Sequence, residues 1–93
     1  KVDLLESINR EGSISQAARQ SRLSYRRAWD MVDTMNRCFK KPLVISATGG
    51  KGGGGAELTP LGEKVIVIYR EMENKASKAT QQEWNSLKKH LIL

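Results

Sequence analysis

The segment from Gly12 to Phe39, GSISQAARQSRLSYRRAWDMVDTMNRCF, leaves the chain little choice of local structure. Just before it, Val2, Leu4, Leu5 and Ile8 keep helical spacing, and Gly12 ends that helix, predicted over residues 2–11. A short helix follows, with Ser15 as its cap and Ala17 and Ala18 small enough for close packing. Leu23-Ser24 then closes a tight connection, and Ser24 caps a third helix. In that helix Ala28, Val32, Met35 and Phe39 stand at i, i+4, i+7 and i+11, which at about 100° per residue makes one apolar stripe. Two helices joined by so short a turn form a helix-turn-helix.

Downstream, PLVISAT is a β-branched run after a proline and is predicted as a strand. The stretch TGGKGGGGAELTP at 48–60 places six glycines between Gly49 and Gly55, broken only by Lys51. With AELT returning, strand and loop close a hairpin and give a winged variant of the motif. Thr59 caps a further helix with Pro60 at its first position. Leu61, Val65, Ile68, Met72, Ala76 and Ala79 keep helical spacing along it, and Val65 to Tyr69 is apolar on nearly every side, as in a helix buried on several faces. Near Ser77–Thr80 the stripe weakens, and Thr80 with Glu83 makes a possible capping box. Trp84, Leu87 and Leu91 form a second stripe, so either one long helix or two would satisfy the pattern.

The fold expected is mainly α with a small β-hairpin: a winged helix-turn-helix over 1–58, then a long C-terminal helix over 59–93, broken near 77–80 in one version. Ninety-three residues suit one domain, since domains commonly run to about 100–150. The 39% hydrophobic and 28% charged residues argue against disorder throughout. No apolar run approaches the roughly 20 residues that span a bilayer. One cysteine, Cys38, cannot form an internal disulfide, which suits a reducing cytoplasm, and with His90 alone among histidines a structural zinc site is not expected.

Charge narrows the function. Of the net +6, residues 1–55 contribute ten Lys/Arg against five Asp/Glu, with Arg19, Arg22, Arg26, Arg27, Arg37, Lys40 and Lys41 close together. Such a face attracts a polyanion. The glycine loop is not a nucleotide cradle, because Lys51 is followed by Gly52 where a P-loop carries the Ser or Thr that holds magnesium, and a hairpin rather than a helix follows. A loop lying along a nucleic-acid backbone explains it better: Thr48, Lys51 and the bare amides of Gly52 and Gly53 can approach phosphates. The third helix is then the reader of base edges. Arg26, on the solvent side of its first turn, is the foremost candidate for the two acceptors of guanine. Arg27 and Arg37 read or position, and Ser24 at the helix start joins them. Asp30 either accepts from a cytosine amino group or pairs with Arg26 or Arg27 one turn away. Tyr25 and Trp29 either touch phosphate or thymine methyls or pack on the second helix. Ser13, Ser15 and Gln16 start that second helix, where free amides commonly hold a phosphate. No paired carboxylates or His-nucleophile arrangement supports catalysis, so no enzyme is expected.

Taken together, GSISQAARQSRLSYRRAWDMVDTMNRCF and PLVISATGGKGGGGAELTPLGEKV closely resemble the N-terminal DNA-binding domain of ModE-type molybdate-responsive transcriptional regulators, relatives of the LysR-type winged helix-turn-helix. The likeness covers about residues 3–73. It implies a homodimer through the long C-terminal helix, using Leu61, Val65, Ile68, Tyr69, Met72, Ala76 and Ala79, and an inverted-repeat operator in double-stranded DNA. Arg22 departs from the pattern, standing where such turns often carry glycine: either the backbone there avoids positive φ or it is strained by about 1–3 kcal/mol. Nothing in residues 74–93 looks like an oxyanion pocket, so molybdate sensing is not carried over and no cofactor is expected in this chain. The readings left open beside this one are a winged-helix protein–protein module and a non-specific DNA-binding module.

Overall fold

The computed structural model describes residues 1–47 and 55–92. Helix α1 (Val2–Glu11) turns Leu4, Leu5 and Ile8 inward, all nearly or wholly buried. It stops at Gly12, whose φ of 77° is the left-handed conformation that a Cβ disfavours. The Gly12 carbonyl accepts the Ala56 N–H at 2.9 Å, tying this helix end to the hairpin.

Helix α2 (Ile14–Gln20) is capped by Ser13 rather than Ser15: Ser13 Oγ accepts the Gln16 amide at 3.0 Å, and Ser15 is already helical and exposed. The earlier start lets Ile14 rest on the core while Ala17 and Ala18 are buried against it. At the other end, Leu23 N–H donates to the Ala18 carbonyl at 2.9 Å and Arg22 N–H to Arg19 at 3.2 Å. That bond pair is a Schellman closure, and it puts Arg22 in the left-handed position, with φ 56°. The turn therefore does adopt the positive φ, without the glycine that suits it.

Helix α3 (Tyr25–Cys38) begins on Ser24, whose Oγ accepts the Arg27 amide at 3.1 Å. Ala28, Val32 and Met35 are buried as expected, but Phe39 is not part of their stripe. The chain leaves the helix there in an extended conformation, and the Phe39 ring is 42% exposed. What holds α3 to the next element is Asn36. Its carbonyl Oδ1 accepts the Leu43 and Val44 amides at 2.8 and 3.1 Å, and its Nδ2 donates to the Val44 carbonyl at 3.0 Å.

Strands β1 (Val44–Ala47) and β2 (Gly55–Leu58) pair antiparallel, Val44 opposite Leu58 and Ala47 opposite Gly55. Val44, Ala56 and Leu58 join the core while Ile45 and Glu57 face outward. Thr48, Lys51, Gly52 and Gly53 lie outside the described residues.

Helix α4 (Pro60–Ala79) starts on Thr59, whose Oγ1 accepts the Gly62 amide at 3.0 Å. Thr59 also donates through its amide to the Leu43 carbonyl at 2.9 Å and through its hydroxyl to the Pro42 carbonyl at 2.8 Å. The first turn comes so close to β1 that a Cβ on Gly62 would sit 2.3 Å from the Leu43 carbonyl oxygen. Beyond that turn the expectation of a helix buried on several faces fails. Leu61, Val65 and Ile66 pack on the core, but Val67, Ile68, Tyr69 and Met72 are exposed, because the small domain covers only one side of α4. At Thr80 the helix breaks and α5 (Gln81–Lys88) begins, which decides for two helices. No capping box forms there: Thr80 Oγ1 donates back to the Ala76 carbonyl at 3.0 Å and does not cap α5. Trp84, Leu87 and Leu91 are exposed. No described helix is long and apolar enough to cross a membrane.

Where α4 passes α1, Arg70 meets three carboxylates: Asp3 at 2.5 Å, Glu6, and Glu73 at 2.7 Å on its own helix. Hydrogen bonding to the guanidinium, then its charge, holds the Asp3 carboxyl below the usual carboxylate range. A lowered pKa means that the tie adds stability above that range and loses it as acid protonates Asp3.

Two substitutions test this account of the backbone. Arg22→Gly relieves the left-handed penalty while adding freedom to the unfolded chain, so chemical denaturation should show a net gain of about 0.5–1 kcal/mol. Gly62→Ala should cost about 3 kcal/mol, since the obstruction is backbone and has no rotamer to give.

Candidate nucleic-acid interface

Two caps on local backbone aim one surface. Because Ser24 ends the turn and caps α3, the first turn of that helix projects Tyr25, Arg26, Arg27, Trp29 and Asp30 outward, all exposed. Among the described residues no carboxylate lies within ion-pair distance of Arg26 or Arg27, so Asp30 does not pair with either one. Arg37 differs: it is held by Asp33 at 2.9 Å and its charge is largely answered within α3. Arg19 and Arg22, on α2 and in the turn, also have no ion-pair partner among the described residues.

Tyr25 and Trp29, four residues apart, share a stripe of α3 beside Arg26 and Asp30. They line a cleft with Ile14 and Ser15 at the start of α2 and with Val44, Ile45, Ser46, Gly55 and Ala56 of the hairpin. At 57% and 48% exposure, neither ring is packed away on α2. Ser13 and Ser24 both spend their hydroxyl oxygens as caps. Ser15 and Gln16 are exposed at the α2 start, on the wall of the same cleft in the case of Ser15. The structure thus brings together the α2 start, the first turn of α3 and the base of the hairpin. It sets Arg37 apart, near the far end of α3, and the loop candidates Thr48, Lys51, Gly52 and Gly53 lie outside the described residues. Trp29 belongs with Tyr25, and its i, i+4 spacing was the available signal. Arg19 and Arg22 belong to the same unpaired basic set.

Of the residues expected at a subunit contact, Leu61 and Val65 pack on the chain's own core. Ile68, Tyr69, Met72, Ala76 and Ala79 are exposed along α4.

A basic, unpaired face on the second helix of a helix-turn-helix, with a hairpin beside it, is chemically suited to a duplex: the major groove admits one helix, and arginine forks onto guanine. Comparison with known proteins agrees. Residues 1–63 match the family model of bacterial regulatory helix-turn-helix proteins of the lysR family. Over 73 residues, 78% of this chain, it is 48% identical to the molybdenum transport protein ModE of Azotobacter vinelandii. Over 69 residues, 74% of the chain, it is 48% identical to the DNA-binding transcriptional dual regulator ModE of Escherichia coli K12. The match covers 27% and 26% of those two proteins, so the chain spans about a quarter of their length. Among solved structures, full-length LysG from Corynebacterium glutamicum superposes with a TM-score of 0.64 at 23% identity, over 92% of this chain and 28% of that one, which shows a shared fold. On its sequence match and its winged helix-turn-helix alike, the chain belongs to the lysR family of bacterial regulatory helix-turn-helix proteins.

Proposed function

We propose that these residues form the sequence-reading part of a cytoplasmic transcription regulator that binds an inverted-repeat operator in double-stranded DNA as a homodimer. The observation that carries the reading is the exposed start of α3, where Arg26 and Arg27 have no carboxylate partner among the described residues and stand beside Tyr25 and Trp29. Arg26 reads guanine, and Arg27 and the α2 start take backbone phosphates. Lys51 and the glycines around it approach the flanking backbone. Asp30, with no ion-pair partner among the described residues, is available to accept from a cytosine amino group. The exposed apolar row Ile68, Met72, Ala76 with Tyr69 beside it supports pairing of two chains through α4. The relatives whose names mention molybdenum are matched over about a quarter of their length, and the reading assigns no cofactor and no catalysis to these residues.

Selection on a random duplex pool should return a two-fold symmetric motif; binding without an enriched motif would reduce the chain to a non-specific basic module. On the selected site Arg26→Ala should cost about 1–3 kcal/mol and relax one position, while non-specific binding falls much less. Equal loss on every sequence removes Arg26 as a base reader. Lys51→Ala should weaken both kinds of binding and flatten the salt slope by about one unit. For the pairing, sedimentation should show Ile68→Asp/Met72→Asp as a folded monomer that keeps half-site binding but loses most of its affinity for the full repeat; an unchanged dimer would place the subunit contact elsewhere.

A further inference from the structure

Every residue from Glu71 to Ile92 is exposed, and the molecule measures 51 Å along its longest axis against 29 and 20 Å across. Arg70 is therefore the last half-buried residue of α4 before that helix leaves the domain. The helix has two fixed points on the body. One is its first turn, seated on the Leu43 backbone through Thr59 and Gly62. The other is Arg70, eight residues on or about 12 Å along the axis. Between them lie Val65 and Ile66, whose apolar contacts permit sliding and tilt. The guanidinium contact is directional. Its Nη1 binds Glu73 of the same helix at 2.7 Å, which orients the plane, and its Nη2 reaches Asp3 and Glu6 of α1. One point seats a rod; the second sets where it aims.

We propose that the Arg70–Asp3–Glu6 clamp sets the angle at which α4 leaves the reading domain and thereby the spacing between operator half-sites that the regulator accepts. This rests on the homodimeric reading above. If two chains pair through α4, the path from one reading helix to its copy runs through both take-off angles. One added base pair moves a half-site by about 3.4 Å and turns it by about 35°, so a small tilt at Arg70 changes which spacing fits. Arg70 is a positioning residue in this scheme and touches no DNA.

The test measures affinity for a set of duplexes that carry the same two half-sites at the selected spacing and with one or two base pairs added or removed, together with a single half-site. The 93-residue chain should prefer one spacing. Arg70→Met and the double variant Asp3→Asn/Glu6→Gln should each lose roughly threefold to tenfold of that preference, the range that an exposed ion-pair network can supply, while single half-site affinity and dimerisation stay unchanged. Lys75→Met, which removes a cation paired only with Glu71 of its own helix, should keep the preference intact. A spacing profile that both clamp variants leave unaltered overturns the inference alone, as does an equal loss in Lys75→Met. A parent chain with no spacing preference at all overturns both the inference and the paired-half-site reading.

Discussion

Leu43 is the joint on which the other elements turn. Its side chain is wholly buried, its amide donates to Asn36 of α3, and its carbonyl accepts from Thr59 at the head of α4. Gly62 then packs its bare Cα against the same peptide. One residue thus joins α3, the hairpin and the outgoing helix, its own backbone groups engaging the Asn36 side chain on one side and the Thr59 amide on the other. A buried peptide whose donor and acceptor are both engaged is expensive to displace. That makes the angle between α3 and the hairpin a property of the fold rather than of the ligand.

Around that joint the charges are sorted. Asp3 and Glu6 of α1 gather on Arg70, Glu11 pairs with Arg10, and Asp33 pairs with Arg37 within α3. Among the described residues Arg19, Arg22, Arg26 and Arg27, on α2, the turn and the start of α3, have no ion-pair partner, and neither do Lys1, Lys40, Lys41, Lys64, Lys78, Lys88 and Lys89. A net charge of +6 would attract any polyanion. What gives that attraction a direction is that four arginines, unpaired among the described residues, stand on adjoining elements and make one bare surface. The exposed rings of Tyr25 and Trp29 lie within that bare surface, and the exposed row on α4 lies outside the small domain's cover.

Much of this was legible because it is local. Ser24, Thr59-Pro60 and Gly12 are start and stop signals whose hydrogen bonds close within about four residues, so the sequence neighbourhood contains all the partners. The Ala28, Val32, Met35 stripe likewise follows from helical pitch alone. Ser13 and Ser15 are both acceptable caps by sequence, and the choice between them depends on whether Ile14 finds a core to rest on. Phe39 continues the stripe by spacing, yet the helix ends under it so that the chain can return to Asn36. Thr80 and Glu83 have the capping-box residues, but the hydroxyl finds the Ala76 carbonyl first. The exposure of Tyr25, Arg26, Arg27 and Asp30 follows from the helical face, whereas the pairing of Arg37 with Asp33 needed side-chain positions.

Periodicity, caps and turn residues therefore specified the elements and their order, because those signals act over one or two turns of chain. Which apolar faces end up covered is a different question. Val65 and Val67 are the same residue type two positions apart, and only the placement of α1 and the hairpin decides that one packs and the other meets solvent. Asn36, Gly62 and Arg70 are silent in the sequence for the same reason: their partners on other elements lie 7 to 67 residues away, and Gly62 lies directly against the Leu43 carbonyl. Tertiary packing alone creates those distances, and with them the seat of α4, its contact with α1 and the exposed face of α3.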